Sequence, residues 1–318
     1  MMAVVLPILT QAAYNEGDIA GTTGTGTHGD PVICNTFKEL KYALEEEEIE
    51  YIELKNAGRS TLPYKGSAGS DSAILVVGKY KTLTITGDSE FVANGQKYLI
   101  HVPKDTILQI NGDGKLQYTS SMMHNSMEDS PAVFRIGGWC TMSGNIELFG
   151  EVADPTYKQY TSGVRVIDMD GGRLDISDAV TCRGSVYVGT NEKYWHQARG
   201  IAAITVLNGG VMNIAGGTFS MDEKNPNASV YPNPAGACGL YMLYSEGSPV
   251  NNIKISGGSF HGIALRIYGS TGIDDLVDSS NGTVRIWDAD AQKFVKCEEG
   301  NTPSEETEVK DLLIKVNR

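Results

Sequence analysis

Apolar and polar residues alternate along this chain in short stretches that keep returning. Leu83-Thr84-Ile85, Leu108-Gln109-Ile110, Leu174-Asp175-Ile176, Met212-Asn213-Ile214 and Ile253-Lys254-Ile255 each put two apolar side chains on one face of a strand. Met142 to Leu148 is a degenerate copy. Most copies then break at a glycine or aspartate and supply one more apolar residue, such as Phe91, Leu116, Val180, Phe219 or Phe260. That is the pattern of two short strands joined by a tight bend. A continuous apolar run precedes each copy, over 73–77, 98–102, 132–136, 164–167, 201–206 and 239–243. Run and copy together make a unit of about three short strands.

With Leu83 aligned on Leu108, the copies begin near residues 83, 108, 142, 174, 212 and 253. Their spacing drifts as loops are inserted, which fixed-length helical repeats do not do. A unit that cannot bury its apolar face alone must stack on its neighbours, so the pattern predicts an all-β fold, a single-stranded parallel β-helix over residues 31–298. A propeller or sandwich would require Asn-Gly or Asp-Gly hairpin turns between most strands, and these are few.

Both ends of such a stack expose strand edges and core. Thr36-Phe37-Lys38-Glu39 is a capping box that opens a predicted helix over 36–47, with Phe37, Leu40 and Leu44 on one stripe. Thr302-Pro303-Ser304-Glu305 opens a predicted short C-terminal helix in a tail over 299–318, carrying Val309, Leu312, Leu313 and Val316. Residues 283–287 with Phe294-Val295 read as a closing hairpin. Residues 1–30, a short apolar stretch followed by the Gly/Thr run 21–29, resemble no repeat and read as an N-terminal arm.

Composition narrows the functional classes. With 26 basic and 39 acidic residues the net charge is −13, so no basic face is offered to nucleic acid or to an anionic membrane. Residues 3–9 lack the basic flank and length of a signal peptide, and no transmembrane span is readable. The five cysteines, Cys34, Cys140, Cys182, Cys238 and Cys297, are far apart and form no metal or redox motif, so buried thiols are expected, in a reducing compartment of synthesis. No cofactor and no metal is expected, and His124, His196 and His261 stand alone.

The copies 211–220 and 253–260, with the cap-like helix before the first strand, resemble the pectin-lyase-like right-handed parallel β-helix superfamily. That fold hosts lyases, hydrolases, adhesins and phage spike or fibre proteins. For a chain with an unrelated N-terminal arm, the resemblance implies a non-enzymatic phage virion structural protein of head-fibre, decoration or spike type. It would be made in the host cytoplasm and joined to other virion proteins through residues 1–30. It would project its β-helix as a homotrimer and contact a host glycan. A polysaccharide lyase or glycoside hydrolase, and a β-helix adhesin, are the alternatives.

Polysaccharide cleavage requires paired carboxylates, or clustered acids with a cation. Asp168 and Asp170, two apart on one strand, are the catalytic candidates if the protein is an enzyme. The repeat spacing stacks Asp168 on Val206 and Asp170 on Asn208, with Ile136 and Gly138 on the other side. Asp170 before Gly171-Gly172 also suits a turn carboxylate that caps backbone amides. The galacturonan-hydrolase motifs of the superfamily are only echoed. Phe260-His261-Gly262, Arg266-Ile267-Tyr268 and Asp274-Asp275 come in the wrong order and without the expected lysine. Asp88 and Asp113 occupy equivalent bends on this alignment. The inserted loops carry Tyr118, Tyr157, Tyr160, Tyr194, Trp195 and Tyr231. The last five are the candidate ligand-binding residues, because aromatic rings suit sugar faces and protein interfaces alike, unless they pack on the solenoid flank instead.

Overall fold

The computed structural model describes residues 22–63, 73–121, 130–153, 161–177, 179–191, 201–224, 238–245, 251–268, 284–288, 293–296, 307–308 and 312–315. These residues form an all-β protein of mostly parallel strands in curled sheets, with one helix among them. The arrangement is compatible with a solenoid-like fold. From Tyr51–Leu54 to Ile263–Tyr268 every third strand joins the same ladder, so the chain visits three ladders in turn.

The first ladder runs Val32–Cys34, Tyr51–Leu54, Tyr80–Ile85, Ile107–Gly112, Trp139–Met142, Arg173–Ile176, Gly210–Ile214 and Asn251–Ile255, all parallel. Most of these are the alternating copies read from the sequence. The second ladder collects Gly58–Thr61, Asp88–Val92, Lys115–Ser120, Glu147–Val152, Thr181–Tyr187, Thr218–Lys224 and Ser259–Phe260. The third collects the continuous apolar runs, from Ala73–Val76 through Tyr98–Val102, Ala132–Ile136, Ser162–Met169, Ala202–Val206 and Cys238–Ser245 to Ile263–Tyr268. An antiparallel pairing of Ser162–Met169 with Thr181–Tyr187 merges the second and third ladders into one sheet.

The period-2 pattern decides which side chains face inward. Ile52, Leu83, Ile110, Met142, Ile176, Ile214 and Ile255 form one column across neighbouring strands, all buried. Leu108, Cys140, Leu174, Met212 and Ile253 form a second. Lys81 stands in that second column beside Leu108, fully buried, and its ammonium donates to the carbonyls of Glu46 and Ile49. The ammonium takes the place of a core methyl group where the stack meets the turn after the helix. Cys34, Cys140, Cys182 and Cys238 are buried free thiols, as expected, and Cys297 lies outside the described residues.

Three registers differ from the sequence reading. Leu83 pairs with Ile110, not with Leu108, a slip of two residues that keeps the inward face unchanged. With that slip, Asp88 pairs with Lys115, so no aspartates are stacked there. Asp168 pairs with Arg135 and Thr205 in place of Ile136 and Val206, because the turns leading to the first ladder differ in length from coil to coil.

The helix spans Phe37–Glu45, with the Thr36 hydroxyl accepting from the Glu39 amide at 3.2 Å. Leu40, Ala43 and Leu44 are buried, and Phe37 meets Phe91 edge to face at 5.7 Å. Residues 22–30 are held by the chain itself. Thr23 bridges Ile33, and the Gly26 carbonyl accepts from the amides of Glu50 and Tyr51. The hairpin expected near the C-terminus is present, Val284–Asp288 pairing antiparallel with Lys293–Lys296. The expected C-terminal helix is not. Within its span, Thr307–Glu308 and Leu312–Lys315 are strands, pairing antiparallel with Ser259–Phe260 and Asn251–Ile255. The last parallel strands leave edge amides and carbonyls to be paired, and that demand overrides a local helical pattern.

Candidate functional site

Asp168 and Asp170 are both engaged by cations. Asp168 is 3% exposed, accepts from the Tyr98 hydroxyl at 2.6 Å and lies 3.4 Å from a guanidinium nitrogen of Arg165, which is 0% exposed. Burial, and then the Asp168 charge, push the Tyr98 phenol well above its ordinary range. The remaining Arg165 nitrogens Nε and Nη1, and Asp168 Oδ1, have no hydrogen-bond partner among the described residues. Asp170 is not on the strand with Asp168, as the spacing suggests, because that strand ends at Met169; it sits in the turn that follows, where the Arg135 guanidinium reaches it at 2.7 Å and the Asn208 amide donates to it. The Arg135 guanidinium also lies over the Tyr98 ring, 5.4 Å from its centroid, so Arg135 links the surroundings of the two carboxylates.

A carboxylate pair organised in this way orients arginines. Hydrolysis needs one carboxyl group to hold a transferable proton and the other to face a water or a sugar carbon. Here Asp168 is buried against Tyr98 and Arg165, while Asp170 is bridged to Arg135 and Asn208. The residues Tyr157, Tyr160, Tyr194, Trp195 and Tyr231 lie outside the described residues. Tyr118, read from the sequence as the start of an inserted loop, is a strand residue. It is fully buried and donates its hydroxyl to the Gln96 carbonyl at 2.8 Å.

The structure adds a site that the sequence reading missed. An open groove of about 490 Å³ lies where the third ladder turns into the first. Its shape follows from unequal turns. Residues 103–106 make one turn, Gly137 and Gly138 alone make the next, and Asp170 to Gly172 make the one after. The short glycine turn leaves a notch between its neighbours. Gly138 cannot carry a side chain there, since a Cβ would stand 2.3 Å from the Pro103 carbonyl oxygen and 2.5 Å from that of Thr106.

One wall of the notch is the outward row Ile107, Trp139, Arg173 and Val211 at the start of successive first-ladder strands. Trp139 is 40% exposed and Val211 39%. The indole is held in place. Its Nε1 donates to Asp175 at 2.7 Å, and the Arg173 guanidinium stacks 4.8 Å from the ring centroid while binding the same Asp175 at 2.7 Å. Burial alone would push the Asp175 carboxyl up. The bonds donated by Arg173, Asn213 and Trp139, with the Arg173 charge, outweigh it and hold the group below its usual range. On the other side are Lys104 and Asp105, both exposed, with Asp105 at a positive φ of 65° that its short side chain tolerates. The one sequence signal for this site is a tryptophan at an outward position of an alternating strand, where polar residues normally stand.

Among the described residues no group of histidine, cysteine, aspartate and glutamate side chains could hold a metal ion. Comparison of the chain with protein-family models, with curated proteins and with solved structures finds no match.

Proposed function

We propose that this chain is a non-enzymatic structural protein with a right-handed parallel β-helix of the pectin-lyase-like kind, which contacts a glycan through its outer surface. The observation that carries the non-enzymatic half is the state of Asp168 and Asp170, each already bound to an arginine or a neighbouring donor. The repeated parallel registers of the three ladders support the β-helix. The oriented, solvent-facing Trp139 supports the glycan contact, since a fixed aromatic face packs on the apolar face of a sugar at little entropic cost. The virion setting rests on the resemblance and on the arm. Residues 1–30 would join the chain to other virion proteins, and the projecting body would assemble as a homotrimer. The helix Phe37–Glu45 would cap the first coil.

The test is incubation of the purified protein with neutral and acidic polysaccharides, followed by assay for new reducing ends and for unsaturated products. No release is expected, and changing Asp168 and Asp170 to Asn should alter nothing in that assay. Release of oligosaccharides that the Asp170→Asn change abolishes would overturn the reading in favour of a hydrolase or lyase.

A further inference from the structure

We infer that the notch between Gly138 and Trp139 is a binding site for a neutral pyranose unit of a glycan chain. The inference deepens the glycan reading above and depends on it. Three features argue for this occupant over an apolar or charged one.

The first is the combination of surfaces. Trp139 and Val211 present exposed apolar area beside a turn without side chains, where a ring can approach the backbone. A flat ring with an apolar face and a polar rim matches such a surface, whereas an apolar peptide would offer no partner to Lys104 and Asp105. The second is the polar inventory. Lys104 offers donors and Asp105 acceptors, and neither has an ion pair among the described residues. Sugar hydroxyls are donors and acceptors at once, so they can bond to both. The third is charge. Lys104 and Asp105 cancel, Arg173 is bound to Asp175, and the chain as a whole carries −13. The notch therefore offers no net positive site for a uronate or a phosphate.

Asp175 is a positioning residue for this site. It touches the indole nitrogen and the Arg173 guanidinium, and so decides how the ring is presented.

The experiment is calorimetric titration of the full chain with neutral hexasaccharides of glucose, mannose, galactose and N-acetylglucosamine, with hexagalacturonate as the charged comparison. At least one neutral probe should bind, and hexagalacturonate should not. Trp139→Ala should weaken that binding by about tenfold or more, the loss of roughly one stacked aromatic contact. Val211→Glu should weaken it comparably, by replacing exposed apolar area at the notch with a carboxylate beside Arg173. Asp175→Asn, which keeps an acceptor for the indole, should bind more tightly than Asp175→Ala.

The outcomes separate the two readings. If a neutral probe binds the wild type, Trp139→Ala and Val211→Glu alike, the notch is overturned while the glycan reading stands. If no hexasaccharide binds the wild type, both fall. Tighter binding of hexagalacturonate than of any neutral probe overturns the neutral class. Should Trp139→Ala fail to fold, Val211→Glu decides, because Val211 is 39% exposed and its replacement leaves the core untouched.

Discussion

The hydroxyl of Tyr98 donates to Asp168 at 2.6 Å, joining residues 70 positions apart in the sequence across two strands of the same ladder. Around that bond lie the fully buried guanidinium of Arg165 and the half-buried one of Arg135.

Removing the Asp168 charge should therefore cost stability before anything else. Asp168→Asn leaves Arg165 as a buried cation without a facing carboxylate, and an urea melt should show a loss of about 3 kcal/mol. Tyr98→Phe, which removes only the hydroxyl, should cost about 1–2 kcal/mol. An Asp168→Asn protein as stable as the wild type would show that the pair contributes nothing to the fold.

The core column gives a sharper contrast on one strand. Ile214 is buried between Ile176 and Ile255, while Val211, three residues earlier, is exposed. Ile214→Asp should abolish folding or cost more than about 4 kcal/mol, and Val211→Asp should change stability by less than about 1 kcal/mol. Circular dichroism and melting of the two variants check this directly. Equal behaviour would refute the register.

Lys81 predicts a pH dependence. Burial outweighs the attraction of Glu46, Glu47 and Glu50 and lowers its pKa from 10.5 to about 8. Between those two values the unfolded chain binds more protons at this residue than the folded one. Its contribution to stability therefore rises with pH across that window and is flat below it. Chemical melts from pH 7 to 10 should show this rise in the wild type and not in Lys81→Met. The same slope in both proteins would assign the effect to other groups.

Truncation separates the arm from the body. A chain starting at Thr22 keeps the bridge from Thr23 to Ile33 and the Gly26 carbonyl that binds Glu50 and Tyr51. One starting at Pro31 should be less stable than the Thr22 chain, because the amides of Glu50 and Tyr51 lose the Gly26 carbonyl they share. If the two truncated chains melt together, residues 22–30 add nothing to the fold. Attachment to a particle, in the proposed setting, should already be lost in the Thr22 chain.

Much of the architecture is legible in the sequence alone. Two apolar positions in each copy, two residues apart, can face one side only of a strand, which puts Ile110, Ile176, Ile214 and Ile255 on one buried face. The capping box placed the helix start at Thr36, since its bonds are local. Where the reading slipped, the cause lay in lengths that no local rule sets. Leu83 and Leu108 look equivalent, yet the lysine at 81 fills the Leu108 position, because carbonyls after the helix can receive its ammonium.

The carboxylate pair and the notch show the same division from the side of function. Spacing suggests that Asp168 and Asp170 share a strand, but the strand ends at Met169, and spacing could not show that Arg135 and Tyr98, which arrive through strand pairing, would join Arg165 of the same strand around the two carboxylates. The alternation of apolar and polar residues by itself determined that the chain is all-β, repeating and stacked, because a period of two and a unit too small to bury its own core leave few other solutions. Only the tertiary structure decided which turn is short, which tryptophan stands in the open and which carboxylates are already paired. Those properties depend on the offset between neighbouring coils, and a one-residue difference in a turn changes every cross-strand neighbour while leaving the local pattern as it was.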